Sequence, residues 1–300
     1  MPELPEVETV RSALAREVVT RKIKTVTVND GRAVRRHKSA KDFRDLLEGR
    51  SIKGVDRLGK NIVVALDNGN HLVIHLGMTG QVRRAKNAKE PKPKHTHVDI
   101  TFTGGEELRF ADQRLFGELY VSAPPAEGEE VEISKFARLS IGGDGLSLRR
   151  QVPELAHLGI DPFEDQVGWD RFAAVLRSRR VALKSVLTDQ DIIAGIGNIY
   201  ADEILFAAGL MYDRVSESLS TIEIRRLHRT IPEILTEAVK QGGTTLADEM
   251  FVNLDGEPGS YQDQLQVHTR EGQPCYQCRT PVSKVVFHQR ATYFCVKCQG

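Results

Sequence analysis

All four cysteines of this 300-residue chain fall after residue 274, as Cys275-x-x-Cys278 and Cys295-x-x-Cys298. Two such knuckles, with residues 279–294 between them, can close on one zinc ion through four thiolates, each about 2.3 Å from the metal. Four protein ligands leave no position for water, so a single structural Zn2+ is expected. Two disulfides or four free thiols are the alternative, which the spacing and a reducing cytosol disfavour. Between the knuckles, Val282–Phe287 and Ala291–Phe294 read as two short strands, with Gln289-Arg290 near the turn. From His268 to Gly300 there are five Lys/Arg and one acid. A basic hairpin of this kind suits contact with phosphate, and a protein-docking ribbon is the other option.

The rest of the chain must build its own cores. Three hundred residues exceed the usual size of one domain, so two domains are expected. Hydrophobic residues at 40% and charged residues at 28% suit a globular chain and argue against a mostly disordered one. No uncharged apolar run is long enough to span a bilayer. MPELPEVETV carries acids where a secretory signal would carry basic residues, so a cytoplasmic location is expected. Lys plus Arg is 42 and Asp plus Glu is 41. Bulk charge therefore does not announce a polyanionic partner, and only local clusters can.

The first third reads as a helix followed by short strands. Val7, Val10, Leu14 and Val18 recur at helical spacing, and Pro5 is tolerated in a first turn. The apolar runs are Lys22–Val28, Asn61–Leu66, His71–Leu76, His97–Phe102, Leu108–Ala111 and Glu118–Ser122. Turn residues separate them, which predicts an antiparallel sandwich or barrel. With Asn68-Gly69 as a two-residue hairpin loop, Lys60 lies opposite Gly77 and His75 opposite Ile62. Lys60, His75 and Met78 then share one end of a hairpin. A Lys and a His there could hold phosphate, and Met78 could be an exposed apolar wedge; a buried Met and a core His are the plainer reading. Arg83–Lys94 carries six Lys/Arg against one Glu. It reads as a solvated loop that adds attraction to a polyanion.

Ser122–Arg150, with Ala123-Pro124-Pro125 and Gly142-Gly143-Asp144-Gly145, reads as a linker. Beyond it Trp169–Ser178, Ala182–Ile193, Asn198–Ala208 and Ser220–Lys240 are expected helices. Ser220-x-x-Glu223 forms a capping-box pattern. Gly195-Ile196-Gly197 breaks the helical pattern, and Asn198 is expected as the next N-cap. Arg177, Arg179, Arg180 and Lys184 have no acid among them, so they could clamp phosphate beside the glycine turn. A packing helix–turn–helix is the alternative.

The amino terminus reads as a reagent. A small residue after Met1 predicts methionine removal, leaving Pro2 as a secondary amine. Such amines keep a useful neutral fraction near pH 7. The amine can attack a carbonyl-like carbon, and the resulting iminium is an electron sink for elimination. Glu3 is the candidate general acid, with Glu6 and Glu8 less well placed. A frayed, inert terminus is the alternative.

MPELPEVET, HLGMTG, ADQRLFG, AGIGNIYADE, GGTT…FVN…DGEPG and the terminal CxxC…RATYFCVKCQ together resemble the bacterial formamidopyrimidine-DNA glycosylase (MutM) family. The resemblance covers nearly the whole chain in order. It implies an α+β fold: an N-terminal helix plus antiparallel β-sandwich, then a helical helix–two-turn–helix domain with a zinc finger. The implied boundaries are a catalytic sandwich at 1–125, a linker at 126–150, the helical domain with a base-capping loop at 151–266, and the finger at 267–300. It further implies a monomeric base-excision repair enzyme acting on damaged double-stranded DNA. Such an enzyme removes 8-oxoguanine and formamidopyrimidines, then nicks the abasic strand by β,δ-elimination.

Carried over by motif, Pro2 resembles the nucleophile at the deoxyribose C1′ and Glu3 the acid that assists sugar-ring opening. Lys60 resembles the lysine of β-elimination and phosphate contact. Arg290 resembles the finger arginine of δ-elimination and phosphate binding. His75, His95, Arg114, Arg179 and Asn198 fall on DNA-contacting positions. Met78, Arg114 and Phe116 resemble an intercalation triad that fills the gap left by a flipped base. Two departures stand out: the linker is longer than the family needs, and Leu246–Met250 adds about two residues to the capping loop. The rivals are a sister enzyme, endonuclease VIII, which prefers oxidised pyrimidines, and a non-catalytic damage-sensing module on the same scaffold. Leu4 and the full triad oppose the first, and intact Pro2 and Glu3 oppose the second.

Overall fold

The computed structural model describes residues 1–246 and 251–300, and its contacts divide the chain into two units. The first comprises Met1–Val131, Arg150–Leu155 and Gln241–Gln262. It opens with helix α1 (Leu4–Val18), which buries Val7, Val10, Leu14 and Val18 as the heptad-like spacing requires. Eight strands follow: β1 (Ile23–Val28), β2 (Ile52–Leu58), β3 (Asn61–Leu66), β4 (His71–His75), β5 (Gly80–Ala85), β6 (Thr96–Phe102), β7 (Glu107–Asp112) and β8 (Glu118–Ser122). A short helix α2 (Ala40–Leu47) interrupts them.

Two four-stranded antiparallel sheets result, in the orders β1-β6-β7-β5 and β2-β3-β4-β8. One core joins Val26, Val82, Ile100 and Phe110 of the first sheet to Ile62, Val64, Ile74 and Leu119 of the second. Val10 and Leu14 of α1 pack into it. The expected sandwich is therefore present. Three elements escaped the sequence reading for physical reasons. Strand β2 carries Lys53, Asp56 and Arg57 around Gly54, and β5 carries Gln81, Arg83 and Arg84 at a sheet edge. Neither shows a long apolar run. Helix α2 buries only Phe43 and Leu47, though Ser39 caps it through the Asp42 N–H.

The hairpin register differs by one residue from the expected one. Ile62 faces Ile74, and Asn61 faces His75. The loop has three residues because Asp67 leaves the ladder to bind Ser51, by both backbone and side chain. Gly69 then takes a left-handed φ of 85°.

The second unit comprises Glu132–Arg149, Ala156–Lys240 and Asp263–Gly300. Its helices are α3 (Gly145–Gln151), α4 (Trp169–Arg177), α5 (Leu183–Thr188), α6 (Asn198–Ala208) and α7 (Thr221–Lys240); the end of α3 falls in the first unit's range. The stretch read as a linker thus contains α3, whose Arg149 is fully buried against Asp165 and the carbonyls of Leu158 and Gly159. Helix α5 stops at Thr188, short of the expected Ile193. Residues 190–194 turn their backbone to Gly159 and Ile160 instead. The Ser220/Glu223 capping box forms as expected. Strands β9 (Ser283–Phe287) and β10 (Arg290–Phe294) make the terminal hairpin. Of the capping-loop insertion expected at Leu246–Met250, residues 247–250 lie outside the described residues. No helix among those described is long and apolar enough to cross a membrane.

Candidate nucleic-acid interface and metal centre

The amino terminus is built into the first unit. Pro2 and Glu3 are buried, and Glu3 is the N-cap of α1 in a capping box with Glu6. The Glu3 N–H donates to Glu6 Oε2 at 2.8 Å. The other carboxylate oxygen of Glu6 accepts the Thr244 N–H at 2.7 Å. One buried carboxylate thus ties the chain start to the glycine loop after α7. Gly243, with a φ of 84°, permits this approach, because a Cβ there would meet the Glu6 side chain at 2.8 Å. Sequence reasoning ranked Glu6 below Glu3 and did not see this role.

Lys60 is buried in the turn between β2 and β3. Arg57, also fully buried, donates to the Gly59 carbonyl at 3.0 Å and to Glu8 on α1 at 3.0 Å. That side chain, missed in the sequence, fixes the Lys60 turn to the first helix. Burial opposes ionisation of Glu8, yet the hydrogen bond from Arg11 and the charge of Arg57 hold its carboxyl below the ordinary range. His75 faces Asn61, with Nδ1 3.1 Å from Asn61 Oδ1. Burial lowers the His75 pKa, Glu118 opposes the shift, and the charges of Lys60 and Arg36 reinforce it. The ring is therefore neutral near pH 7.

Met78, Arg114 and Phe116 occupy the two connections that follow β4 and β7. All three are exposed, Met78 at 36% and Phe116 at 50%. Met78 and Phe116 thus present two apolar tips on adjacent turns. The Arg114 guanidinium lies 4.7 Å from the Phe116 ring centroid. Arg35, also missed, donates to the carbonyls of Gly117 at 2.8 Å and Phe116 at 3.3 Å. His95 is exposed with a left-handed φ of 59°, and its carbonyl accepts the Asp112 N–H. The basic loop leading to it is ordered: buried Arg109 donates to the carbonyls of Asn87, Glu90 and Pro91.

In the second unit, Arg290 is exposed at the tip of the terminal hairpin. His288 and Gln289 form its two-residue loop, both with positive φ, as a primed turn demands. Asn198 is the first residue of α6 rather than its N-cap, a place taken by Gly197. Its Nδ2 instead donates to the Ala291 carbonyl at 2.9 Å. The two residues after Ala291 are held as well. Lys184 Nζ donates to Thr292 Oγ1 at 2.7 Å and to Asp202 Oδ1 at 2.6 Å. Asp202 Oδ2 accepts from the Tyr293 N–H at 3.1 Å and pairs with His268 Nδ1 at 2.8 Å. Lys184 is thus a buried structural cation and not part of an exposed clamp. Arg179 is half-buried over the Phe136 ring.

The sulfurs of Cys275, Cys278, Cys295 and Cys298 lie within 4.8 Å of one another. Separations of 3.9 Å for Cys275–Cys298 and 3.4 Å for Cys278–Cys295 exclude disulfides and approach the edge of a tetrahedral zinc–thiolate site. Hydrogen bonding to Thr280 brings the Cys278 thiol down to about 6, whereas burial pushes Cys298 up to about 12. Four thiolates this close need a dication to coexist, so the donor set fits one structural zinc.

Comparison with known proteins matches this arrangement. A model of the formamidopyrimidine-DNA glycosylase N-terminal domain matches residues 1–119, and one of that glycosylase's H2TH domain matches residues 158–249. A zinc finger found in FPG and IleRS matches residues 272–300. The formamidopyrimidine-DNA glycosylase of Salinispora arenicola is 40% identical over 301 residues, covering 100% of this chain and 96% of the relative. The crystal structure of MutM (Fpg) from Thermus thermophilus shares 38% identity at a TM-score of 0.81, over 100% of this chain and 99% of that one. Lactococcus lactis Fpg in complex with Fapy-dG-containing DNA shares 31% identity at a TM-score of 0.80, over 99% of each chain. This chain belongs to the formamidopyrimidine-DNA glycosylase family of enzymes, and its terminal cysteines form that family's zinc finger.

Proposed function

We propose that this enzyme removes oxidised purines, 8-oxoguanine and formamidopyrimidines, from duplex DNA and then cuts the abasic strand. The observation that carries the reading is an amino terminus held in place rather than frayed. Pro2 and Glu3 are buried, and Glu6 ties Glu3 to the Thr244 loop. A nucleophile needs that fixed geometry. After methionine removal the Pro2 nitrogen attacks C1′, the bond to the base breaks, and the base leaves with a proton. Glu3 protonates the ring oxygen as the sugar opens, and an iminium to Pro2 remains. Loss of a C2′ proton expels the 3′ phosphate, and a second elimination expels the 5′ phosphate.

Lys60 and Arg290 serve these eliminations as cations at the departing phosphates. Asn198, Arg179 and His95 contact the backbone. His75, neutral in the free protein, can donate a ring N–H to a phosphate, and the anion raises the pKa of the neighbouring imidazole. Met78 and Phe116 fill the space of the extruded base, and Arg114 hydrogen-bonds the orphaned partner. Extrusion costs a few kcal/mol, which these side chains offset. Zinc, bound by the four cysteines, supplies structure to the hairpin carrying Arg290 and no chemistry. The chain divides functionally as 1–125, 126–150, 151–266 and 267–300, with the capping loop in the third segment, and it acts as a monomer in the cytoplasm.

Borohydride trapping on duplex containing 8-oxoguanine opposite cytosine tests the reading. A covalent adduct is expected from the processed protein and none from Pro2→Gly. A Pro2→Gly adduct of equal yield would refute the nucleophile. Preference for thymine glycol over 8-oxoguanine would instead favour the sister specificity.

A further inference from the structure

Strand β4 belongs to one sheet and β5 to the other, so the connection Leu76–Thr79 crosses the sandwich. The connection Gln113–Gly117 crosses back from β7 to β8. The two crossings touch backbone to backbone. Gly77 takes a φ of 63°, and a Cβ on it would strike the Phe116 carbonyl carbon and the Gly117 nitrogen. A Cβ on Gly117 would come within 2.8 Å of the His75 carbonyl oxygen. Leu115, between Arg114 and Phe116, is itself left-handed at a φ of 54°. Such a backbone persists only where its surroundings over-determine it.

One carboxylate does so. Asp112, at the end of β7 and 1% exposed, lies opposite Gly80 in the ladder. Its Oδ1 accepts the Thr79 hydroxyl and, at 3.1 Å, the Arg114 N–H. Thr79 Oγ1 in turn accepts the same Arg114 N–H at 3.1 Å. Asp112 Oδ2 accepts the Gly117 N–H at 2.8 Å. No Lys, Arg or His among the described residues forms an ion pair with it. Behind it, buried His97 donates Nε2–H to the Asp112 carbonyl at 2.8 Å. A buried carboxylate without a counter-ion is expensive. This one is satisfied by three neutral donors taken from two different loops. Thr79 follows Met78, Arg114 is bound through its own N–H, and Gly117 follows Phe116.

We infer that Asp112 is the positioning residue of the wedge: its carboxylate locks the Met78 turn to the Arg114–Phe116 loop, so all three side chains enter the duplex as one preformed body. The inference rests on the base-extrusion reading above. Asp112 touches no reacting atom. Its contribution is that the exposed apolar tips need no ordering when a base leaves the stack, since ordering would consume binding energy.

The test separates wedge from chemistry by substrate. A duplex with 8-oxoguanine opposite cytosine needs the wedge. A single-stranded oligonucleotide carrying an abasic site has no stack to open and no partner base to satisfy. Asp112→Asn replaces one acceptor with a donor facing an N–H or hydroxyl, and Thr79→Val removes the shared hydroxyl. Both variants should lose on the order of tenfold in kcat/KM on the duplex and stay within about threefold of the parent on the single strand. Thr79→Ser should recover the duplex rate. Equal losses on both substrates would mean a general structural role and overturn the inference, as would a duplex rate unchanged in Thr79→Val. Should Asp112→Asn fail to fold, the Thr79 pair decides alone. A parent protein that cuts the single-stranded abasic site but no lesion duplex would sink the extrusion reading and the wedge with it.

Discussion

Replacing Asp202 with Asn should destabilise the second unit far more than a one-atom change suggests. Asp202 and Lys184 are both essentially sealed from solvent, with side-chain exposures of 0% and 3%. In Asp202→Asn the Lys184 ammonium keeps its bond to Thr292 but loses the carboxylate, and Lys184, the Tyr293 N–H and His268, which share two oxygens in the parent, are left with one carbonyl oxygen. Breaking a buried pair from one side costs about 3–5 kcal/mol, because an uncompensated charge stays inside. At roughly 2–4 °C per kcal/mol, the melting temperature should fall by roughly 6–20 °C. The chain has one tryptophan, Trp169, on α4 of this unit. Its fluorescence on heating, with zinc in excess, reports the right unit. The double variant Lys184→Met/Asp202→Asn should recover most of the loss, since removing the cation as well leaves no uncompensated charge inside. A loss below about 1 kcal/mol, or a double variant worse than the single, would show that the pair is not the buried charge couple described.

Three further outcomes are expected. Burial lowers the pKa of His37, His71 and His75 from 6.5, so the unfolded chain binds protons more readily. Stability of the first unit is therefore full above pH 6.5 and declines as pH falls through the lowered folded values; an opening free energy in β3 and β4, taken from hydrogen exchange after correction for the intrinsic rate, that stays constant from pH 7.5 to 5.5 would contradict this. Cys298→Ser should release the zinc ion and weaken DNA binding, and mass spectrometry under native conditions that still finds one zinc per chain would refute the four-thiolate site. Lys60, Arg179 and Arg290 are three proposed phosphate cations, so log Kd should rise against log salt with a slope of about 3, and Arg179→Ala should lower that slope by about one. An unchanged slope removes Arg179 from the interface.

The metal module, α1 and the capping box before α7 were legible in the sequence because each needs particular residue types at a fixed local spacing. The hairpin register was not. Asn68-Gly69 signals a two-residue turn, yet Asp67 is drawn away by Ser51, sixteen positions earlier, and a shift of one residue exchanges Ile62 for Asn61 opposite His75. Lys184 shows the same limit. No acid stands near it among residues 177–183, and its partner Asp202 is eighteen positions further on, one helix away.

The candidate residues and the groups that hold them follow a pattern that sequence alone could not supply. Met78, Phe116 and Arg290 are exposed and recognisable by motif. Each is placed by a buried carboxylate that grips the protein's own loops rather than ligand: Asp112 binds the Thr79 hydroxyl and the amides of Arg114 and Gly117, and Asp202 binds that of Tyr293. Glu6 does the same at the chain start, through Glu3 and Thr244. All three acids are about 1% exposed. An acid in such a position reads in the sequence as one more surface charge, since its donors are main-chain groups that every residue carries and side chains far away in the sequence. Its identity becomes functional only when the fold brings two loops within reach of two oxygens. The matching amide at each site would leave the recognisable residues intact while loosening what lies beneath them: Asp112→Asn under Met78 and Phe116, Asp202→Asn under Arg290, and Glu6→Gln under Glu3.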